Sequence, residues 1–302
     1  MLEGYTVVSF DNVSRGNYRY LRDMECMPNF RMEVGDICDI SQLSKVFEKM
    51  RIDMIVHAAA IPGLERCRKD PEKAILTNIL GTYNVLEVAR ASNVSKVIFT
   101  SSAAVYGVPE VTPIPEDHPL NPRNLYGATK HSGEVLMRLY NRTYGLNTLI
   151  LRFGNVYGVG VYTYWETVIP RFVKQALTDN PLTIFGDGEQ SRDFIHVRDI
   201  VKAIKLALRA EADLAYGEVF NVGIGRPTKI NDLAKLVSSI VKEETGKEVR
   251  TVHLPPRKGE PYIPNFSLQT TKITEKLGFK ADWTLEDGIK QLIKYWFSIR
   301  EV

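Results

Sequence analysis

Over its first half the chain alternates short apolar runs with amphipathic stretches of helical period. Residues 6–10, 34–37, 54–56, 97–99 and 149–153 read as buried strands. Between them, 41–50 sets Leu43, Val46, Phe47 and Met50 at helical spacing behind an N-cap candidate. Asp70 and Pro71 open a second helix toward Ser92 as N-cap and first-turn residues. A third helix carries Tyr126 and stops before Gly145. Strands alternating with helices in this way build a doubly wound parallel sheet, so the fold class is α/β.

Beyond residue 156 the alternation loosens, and a smaller domain over 156–302 is expected, with 195–222 returning to the domain of 1–155. Residues 167–178, 230–243 and 285–299 read as helices, while 182–185, 219–222 and 249–253 read as extended. Asp199 is expected to cap a helix that runs to Leu208. Residues 109–122 hold five of the fifteen prolines and read as a loop without regular structure.

Composition narrows the function classes. With 302 residues, 44% hydrophobic and 25% charged, the chain can bury a large core as an ordinary globular protein. A net charge of +3 without a basic block argues against nucleic acid or a membrane surface as partner. Cys26, Cys38 and Cys67 are odd in number and lack metal-ligand spacing, which suits reduced thiols in a cytoplasmic protein. No apolar run nears the roughly 18 residues of a membrane span. The five histidines show no ligand grouping, so no metal is expected.

Candidate chemistry centres on LYGATKHSGE, residues 125–134. Tyr126 and Lys130 leave the same face of one helix. An unperturbed phenol ionises near pH 10, but an ammonium beside it favours the phenolate, and the pair makes a general base. Of the fourteen tyrosines only Tyr126 has a lysine four positions on. The pair alone is equally the mark of an exposed helical face with a solvated lysine. The segment KVIFTSSAAVYG, residues 96–107, adds hydroxyls at the carboxyl end of a strand, where open α/β sheets bind ligands.

SSAAVYG, YGATKHSGE and LRFGNVYG in this order resemble the extended branch of the short-chain dehydrogenase/reductase superfamily, the nucleotide-sugar epimerases and dehydratases, and within it the UDP-hexose 4-epimerases. The resemblance implies a Rossmann-like sheet with a smaller C-terminal substrate domain, NAD as cofactor, a UDP-sugar as substrate and a homodimer. It implies Ser102, Tyr126 and Lys130 as catalytic residues. For the cofactor it points to Asp11, Asn12, Asp36, Ile37, Ala58, Ala59, Asn78, Ser101 and Phe153 beside Tyr126 and Lys130. For the substrate it points to Asn155, Arg192, Arg257 and Glu260 beside Ser102 and Tyr126. Asp11, at the end of a strand, would bond ribose hydroxyls and repel a 2′-phosphate, favouring NAD over NADP.

Two departures from the family pattern matter. No strand and Gly-rich phosphate turn precede 6–10; the resemblance implies that on the order of 25 residues are absent, against about 30 for a βαβ unit. Such a loss leaves backbone groups unpaired in the middle of the sheet, so that either a gap appears there or another segment fills it. Second, the 4,6-dehydratases carry Asp-Glu after the catalytic hydroxyl, and this chain has Ala103 and Ala104. A 4-epimerase is therefore the expectation. Another epimerase, reductase or decarboxylase of the branch, and a non-catalytic nucleotide-sugar-binding remnant, stay open.

Overall fold

The structure is a computed structural model that describes residues 4–14, 24, 26–160, 163–257 and 261–299. The chain divides into two compact units, one of Met1–Gly107, Leu120–Arg152 and Ala207–Val219, the other of Val108–Pro119, Phe153–Leu206 and Phe220–Val302.

In the first unit the chain runs β1 (Val7–Asp11), β2 (Phe30–Val34), α1 (Ile40–Lys49), β3 (Met54–His57), α2 (Leu64–Lys69), α3 (Pro71–Ile75), a π-helical turn (Leu76–Leu80) and α4 (Gly81–Ala91). It continues through β4 (Lys96–Ser102), a 3-10 turn (Ala103–Val105), α5 (Leu125–Tyr144) and β5 (Thr148–Phe153). Among the described residues the sheet is in two pieces. β1 pairs in parallel with β2, Val7 opposite Phe30. Separately, β3, β4 and β5 stand in sequence next to β10 (Val219–Val222), with β3 parallel to β4. Among the described residues β1 and β3 share no ladder. A shared core joins the pieces instead. Phe10 of β1 and Ile55 of β3 both pack on Ile37, Leu43, Val85 and Val88.

Strand β4 is buried along nearly its whole length, as expected of an apolar run with a neighbour on each side. Val97 and Phe99 meet Leu86 of α4 and Met137 and Tyr140 of α5 in one cluster. Helix α5 starts at Asn124, whose side chain accepts the Gly127 N–H at 2.9 Å, and ends at Gly145 with φ 67°, a left-handed residue that suits glycine.

Several boundaries differ from the sequence reading. The second strand lies at Phe30–Val34, where FRMEV alternates apolar and charged residues; of the expected 34–37 only Val34 is in it, and 35–37 lead into the turn after it. There the Asp36 carboxylate takes the Cys38 N–H at 2.9 Å, a local bond that competes with a ladder. Asp39 is the cap of α1, accepting from Ser41 and Gln42. Helix α2 is additional, and the stretch after Asp70 is interrupted by the π-helical turn.

The second unit holds β6 (Asn155–Tyr157), α6 (Val168–Leu177), β7 (Leu182–Phe185), β8 (Ser191–Arg192) and β9 (Phe194–His196). Helix α7 (Val197–Arg209) and α8 (Ala212–Ala215) carry the chain back toward β10. After β10 come β11 (Thr228–Lys229), α9 (Ile230–Thr245), β12 (Thr251–Leu254), α10 (Thr271–Leu277) and α11 (Leu285–Ser298). β7 pairs with β12 and β6 with β9, both in parallel. Phe172 of α6, Val237 of α9 and Leu292 of α11 share its main apolar cluster. Asp199 does not cap α7. It lies inside the first turn, and its carboxylate accepts the N–H groups of Asp282 and Trp283, so its role is a long-range tie. The proline-rich segment has no regular structure but is pinned: buried Ile114 donates to Ser267 and accepts from Gln269.

Gly133 of α5 shows how tightly α5 sits on β4, since a Cβ there would stand 2.5 Å from the Phe99 ring. Alanine normally favours a helix over glycine by about 1 kcal/mol, but overpacking costs about 1–3 kcal/mol. Gly133→Ala therefore lowers the unfolding free energy by up to about 2 kcal/mol, read as a lower urea midpoint. An unchanged or raised midpoint would mean that the ring moves aside freely.

Candidate active site

The carboxyl end of β4 and the first turns of α5 are fixed against each other by short contacts. A Cβ on Gly127 would stand 2.6 Å from the Ala104 carbonyl oxygen, so only glycine lets the helix start so close to the 3-10 turn. Ser102 caps that turn, its Oγ accepting the Ala104 N–H at 3.2 Å, and retains its own proton for donation. Two residues earlier, the Thr100 carbonyl accepts from the Lys130 ammonium at 2.7 Å. Tyr126, half-buried one turn before Lys130, packs on the cluster of Ile61, Cys67 and Ala74. The elements that carry Ser102, Tyr126 and Lys130 are thus brought together.

Lys130 is 3% exposed and lies 4.8 Å above the Phe99 ring. Burial pushes its pKa down from the ordinary 10.5 to about 8, against the opposing pull of Cys67 and Glu134. The ammonium is therefore charged at neutral pH. Nearby His57 is held neutral, pushed down to about 3 by burial and by the charge of Lys130. Its Nε2 lies 2.9 Å from Thr82 Oγ1, whose proton goes to the Asn78 carbonyl at 2.7 Å, so Nε2 carries the imidazole proton.

Asn78 sits in the π-helical turn, a form often found at functional sites. Its amide is engaged within the protein. The oxygen accepts from the Ile61 N–H, and the nitrogen donates to the Ile61 carbonyl and to Thr129 Oγ1 at 2.9 Å. Thr129 in turn donates to the Tyr126 carbonyl at 2.9 Å. Asn78 thereby steadies the turn that carries Tyr126. Ser101 is also turned inward: its hydroxyl donates to Glu134 at 2.6 Å.

At the ends of β1 and β2 the other cofactor candidates gather. The Asp11 carbonyl accepts the Gly35 N–H at 3.0 Å, and Asn12 donates to Asp36 at 2.8 Å. Partial burial works against Asp36, yet the Cys38 N–H and the Asn12 amide outweigh it and hold its carboxyl below the ordinary range. Asp11 is exposed, and its carboxylate accepts the Val13 N–H at 2.8 Å. Ile37 is 7% exposed and packs in the core, so its backbone is what this end of the sheet offers. Ala58 and Ala59 are exposed just past β3.

These groups fit a dinucleotide. An ammonium has three donors, and Thr100 is the one hydrogen-bond acceptor that Lys130 meets among the described residues; ribose hydroxyls match the other two. Asp11 and Asn12 suit the adenosine end. The described residues include no Gly-rich turn for a pyrophosphate.

In the second unit Asn155 is exposed, its N–H donating to the Asp193 carbonyl at 2.7 Å, and Phe153 is half-buried. Arg192 Nη1 donates to the Ser191 and Ile263 carbonyls at 2.7 and 2.9 Å. Arg257 lies 4.5 Å over the Phe185 ring. Glu260 falls outside the described residues. Sequence reasoning missed Arg171, which approaches the same ring at 5.3 Å and is pushed down to about 10 by burial and by Arg257. It also missed Asp193, fully buried, whose carboxylate accepts the N–H groups of Ile224, Gly225 and Leu268. Neither belongs to a local pattern. Glu134, by contrast, stands four residues after Lys130, a spacing that could have marked it. Among the described residues no three His, Cys, Asp or Glu side chains group as a metal site, and no helix is long and apolar enough to cross a membrane.

Comparison with known proteins gives the family. The model of the NAD-dependent epimerase/dehydratase family matches residues 1–223, and the chain belongs to that family, whose cofactor is NAD. It is 32% identical to the UDP-glucose 4-epimerase of Mycolicibacterium smegmatis over 298 residues, 98% of this chain and 92% of that one. A dTDP-glucose 4,6-dehydratase of Salmonella typhimurium is 30% identical, over 97% of this chain and 86% of that one. Among solved structures, the UDP-glucose 4-epimerase of Thermotoga maritima, with UDP-glucose, superposes with a TM-score of 0.86 at 33% identity, covering 98% and 92% of the two chains.

The buried ammonium makes a stability prediction. Because the folded pKa of Lys130 lies below its ordinary value, its penalty is complete below pH 8 and fades as pH rises through 8 to 10.5. That fall corresponds to about 3 kcal/mol. Lys130→Met is thus expected to raise the unfolding free energy of the nucleotide-free protein at pH 7 by up to about 3 kcal/mol, a gain that vanishes near pH 10.5. Urea melts across pH check it; a variant less stable at pH 7 contradicts the penalty.

Proposed function

We propose that the protein inverts C4 of a UDP-linked hexose, interconverting UDP-glucose and UDP-galactose through a 4-keto sugar with bound NAD. The observation that supports this reading is the buried Lys130 ammonium, one turn after Tyr126 on α5 and bonded to the Thr100 carbonyl two residues before Ser102. Tyr126 takes the proton of the 4-hydroxyl, and Lys130 favours the phenolate that does so. Ser102 donates to the same sugar oxygen and steadies it as the carbonyl forms. NAD, when bound, would supply the hydride acceptor and donor, and inversion follows because the 4-keto sugar turns over so as to present its other face for the return. Tyr126 then gives its proton back to the inverted C4 oxygen. In the second unit Arg192 and Arg257 hold the diphosphate, with guanidinium donors suited to phosphate oxygens. Asn155 and Glu260 contact the nucleotide-sugar.

Ala103 and Ala104 favour epimerisation over the 4,6-dehydration of the Salmonella relative. Elimination across C5 and C6 needs an acid and a base, and two methyl groups directly after Ser102 supply neither. Purified protein is expected to interconvert UDP-glucose and UDP-galactose without added reductant. Formation of a 4-keto-6-deoxy product instead, or UDP-sugar binding with no dinucleotide present, overturns the proposal. Lys130→Met is expected to depress kcat on the order of 100-fold and to move the optimum to higher pH. An unmoved profile would count against the role of Lys130.

The assembly we propose is a homodimer through α4 and α5. Exposed Tyr83 on α4 and Val135 and Leu139 on α5 form an apolar face that a second copy would cover. Leu139→Glu should shift sedimentation from dimer to monomer, and a wild-type protein that sediments as a monomer removes the proposal.

A further inference from the structure

Behind the catalytic set lies a charged cluster that the proposed chemistry does not use. Glu134 is 1% exposed and Arg152 fully buried, and they meet through two bonds, Nε to Oε1 at 2.9 Å and Nη2 to Oε2 at 2.7 Å. The Ser101 hydroxyl donates to the same carboxylate at 2.6 Å. The third donor of Arg152, Nη1, reaches the Tyr106 hydroxyl at 2.8 Å, and its guanidinium stands 4.8 Å over that ring. Tyr106 closes the 3-10 turn that begins right after Ser102. One carboxylate therefore joins β4, β5 and α5, and through Arg152 the turn that follows Ser102.

Three consecutive β4 residues face this arrangement in turn. The Thr100 carbonyl holds Lys130, the Ser101 hydroxyl holds Glu134, and Ser102 presents the hydroxyl of the site. Lys130 and Glu134 are four apart, on one face of α5. We propose that Glu134 is a positioning residue: locked by Arg152, it clamps Ser101 to α5 and so fixes Ser102 against Tyr126 and Lys130. Stability alone is a weak reason for such a pair, because apolar side chains of similar volume often replace a buried ion pair without loss. Geometry is the stronger reason, since a displacement of about 1 Å in a reacting group can cost on the order of 100-fold in rate. The inference rests on the proposed role of Ser102, Tyr126 and Lys130.

Among the described residues the groups around Lys130 that titrate or carry charge are Glu134 and Tyr126 on its own helix, Cys67 from α2 and His57 from β3. Glu134→Gln removes a negative charge near Lys130 and leaves Arg152 unbalanced. Its expected kinetics are a kcat lowered on the order of 10- to 100-fold, a sugar KM within about twofold of wild type, unchanged bound dinucleotide and an alkaline limb moved to lower pH. Ser101→Ala keeps the ion pair and cuts only the clamp; it should lower kcat on the order of 10-fold with an unmoved limb. This second variant decides the matter if the first does not fold. Wild-type kcat in either folded variant, or a loss confined to KM, overturns the proposal. Titration of ¹³Cε-labelled Lys130 reads the same coupling without turnover. Its pKa should fall in Glu134→Gln, and an identical titration overturns the coupling. If wild type has no epimerase activity while this titration responds, it is the functional reading that fails, not the coupling.

Discussion

Lys130 is an ammonium taken out of water and given one carbonyl, that of Thr100, in exchange. Much of the first unit is shaped to make that exchange tolerable. The Phe99 ring lies beneath the charge, Gly133 lets α5 settle on that ring, and Gly127 lets the helix begin against the turn after Ser102. A charge held this way costs folding free energy below pH 8, and it lies one turn along α5 from Tyr126.

Supporting contacts are arranged in depth. One chain of bonds runs from His57 through Thr82 to the Asn78 carbonyl, and the Asn78 amide passes support on through Thr129 to the backbone of Tyr126. Another leads from Ser101 through Glu134 and Arg152 to Tyr106. In the second unit Asp193 does comparable work, gathering three backbone N–H groups that surround residues 223–225 and 268. Gly223 is required there, since a Cβ would stand 2.6 Å from the Asp193 carboxylate.

How much of this was legible in the sequence depends on the range of the interaction involved. The β4 run, the amphipathic α5 and its Gly145 stop are local patterns, and the sequence predicts them closely. The placement of Ser102, Tyr126 and Lys130 on two adjoining elements followed from strand end and helix spacing. What escaped depends on distant partners. Glu134 and Arg152 are 18 residues apart and are joined by the packing of α5 on the sheet. Asp199 looks like a cap until Asp282 and Trp283 are seen to donate to it. Residues 34–37 resemble a strand because Val34 and Ile37 are apolar, but Ile37 serves the helix core, and Gly35 and Asp36 make a turn. The π-helical turn carries no compositional mark at all.

Because β1 and β2 ladder only with each other among the described residues, the two pieces of the sheet need not open together. Release of residues 7–11 breaks one ladder and the packing of Phe10, whereas β4 is bonded to a strand on each side. Amide protons of β1 and β2 should therefore exchange with solvent through a small local opening, while those of β4 wait for rupture of the wider sheet. Asp11 and Asn12 at the end of β1 would then breathe on a faster clock than the strand that ends at Ser102.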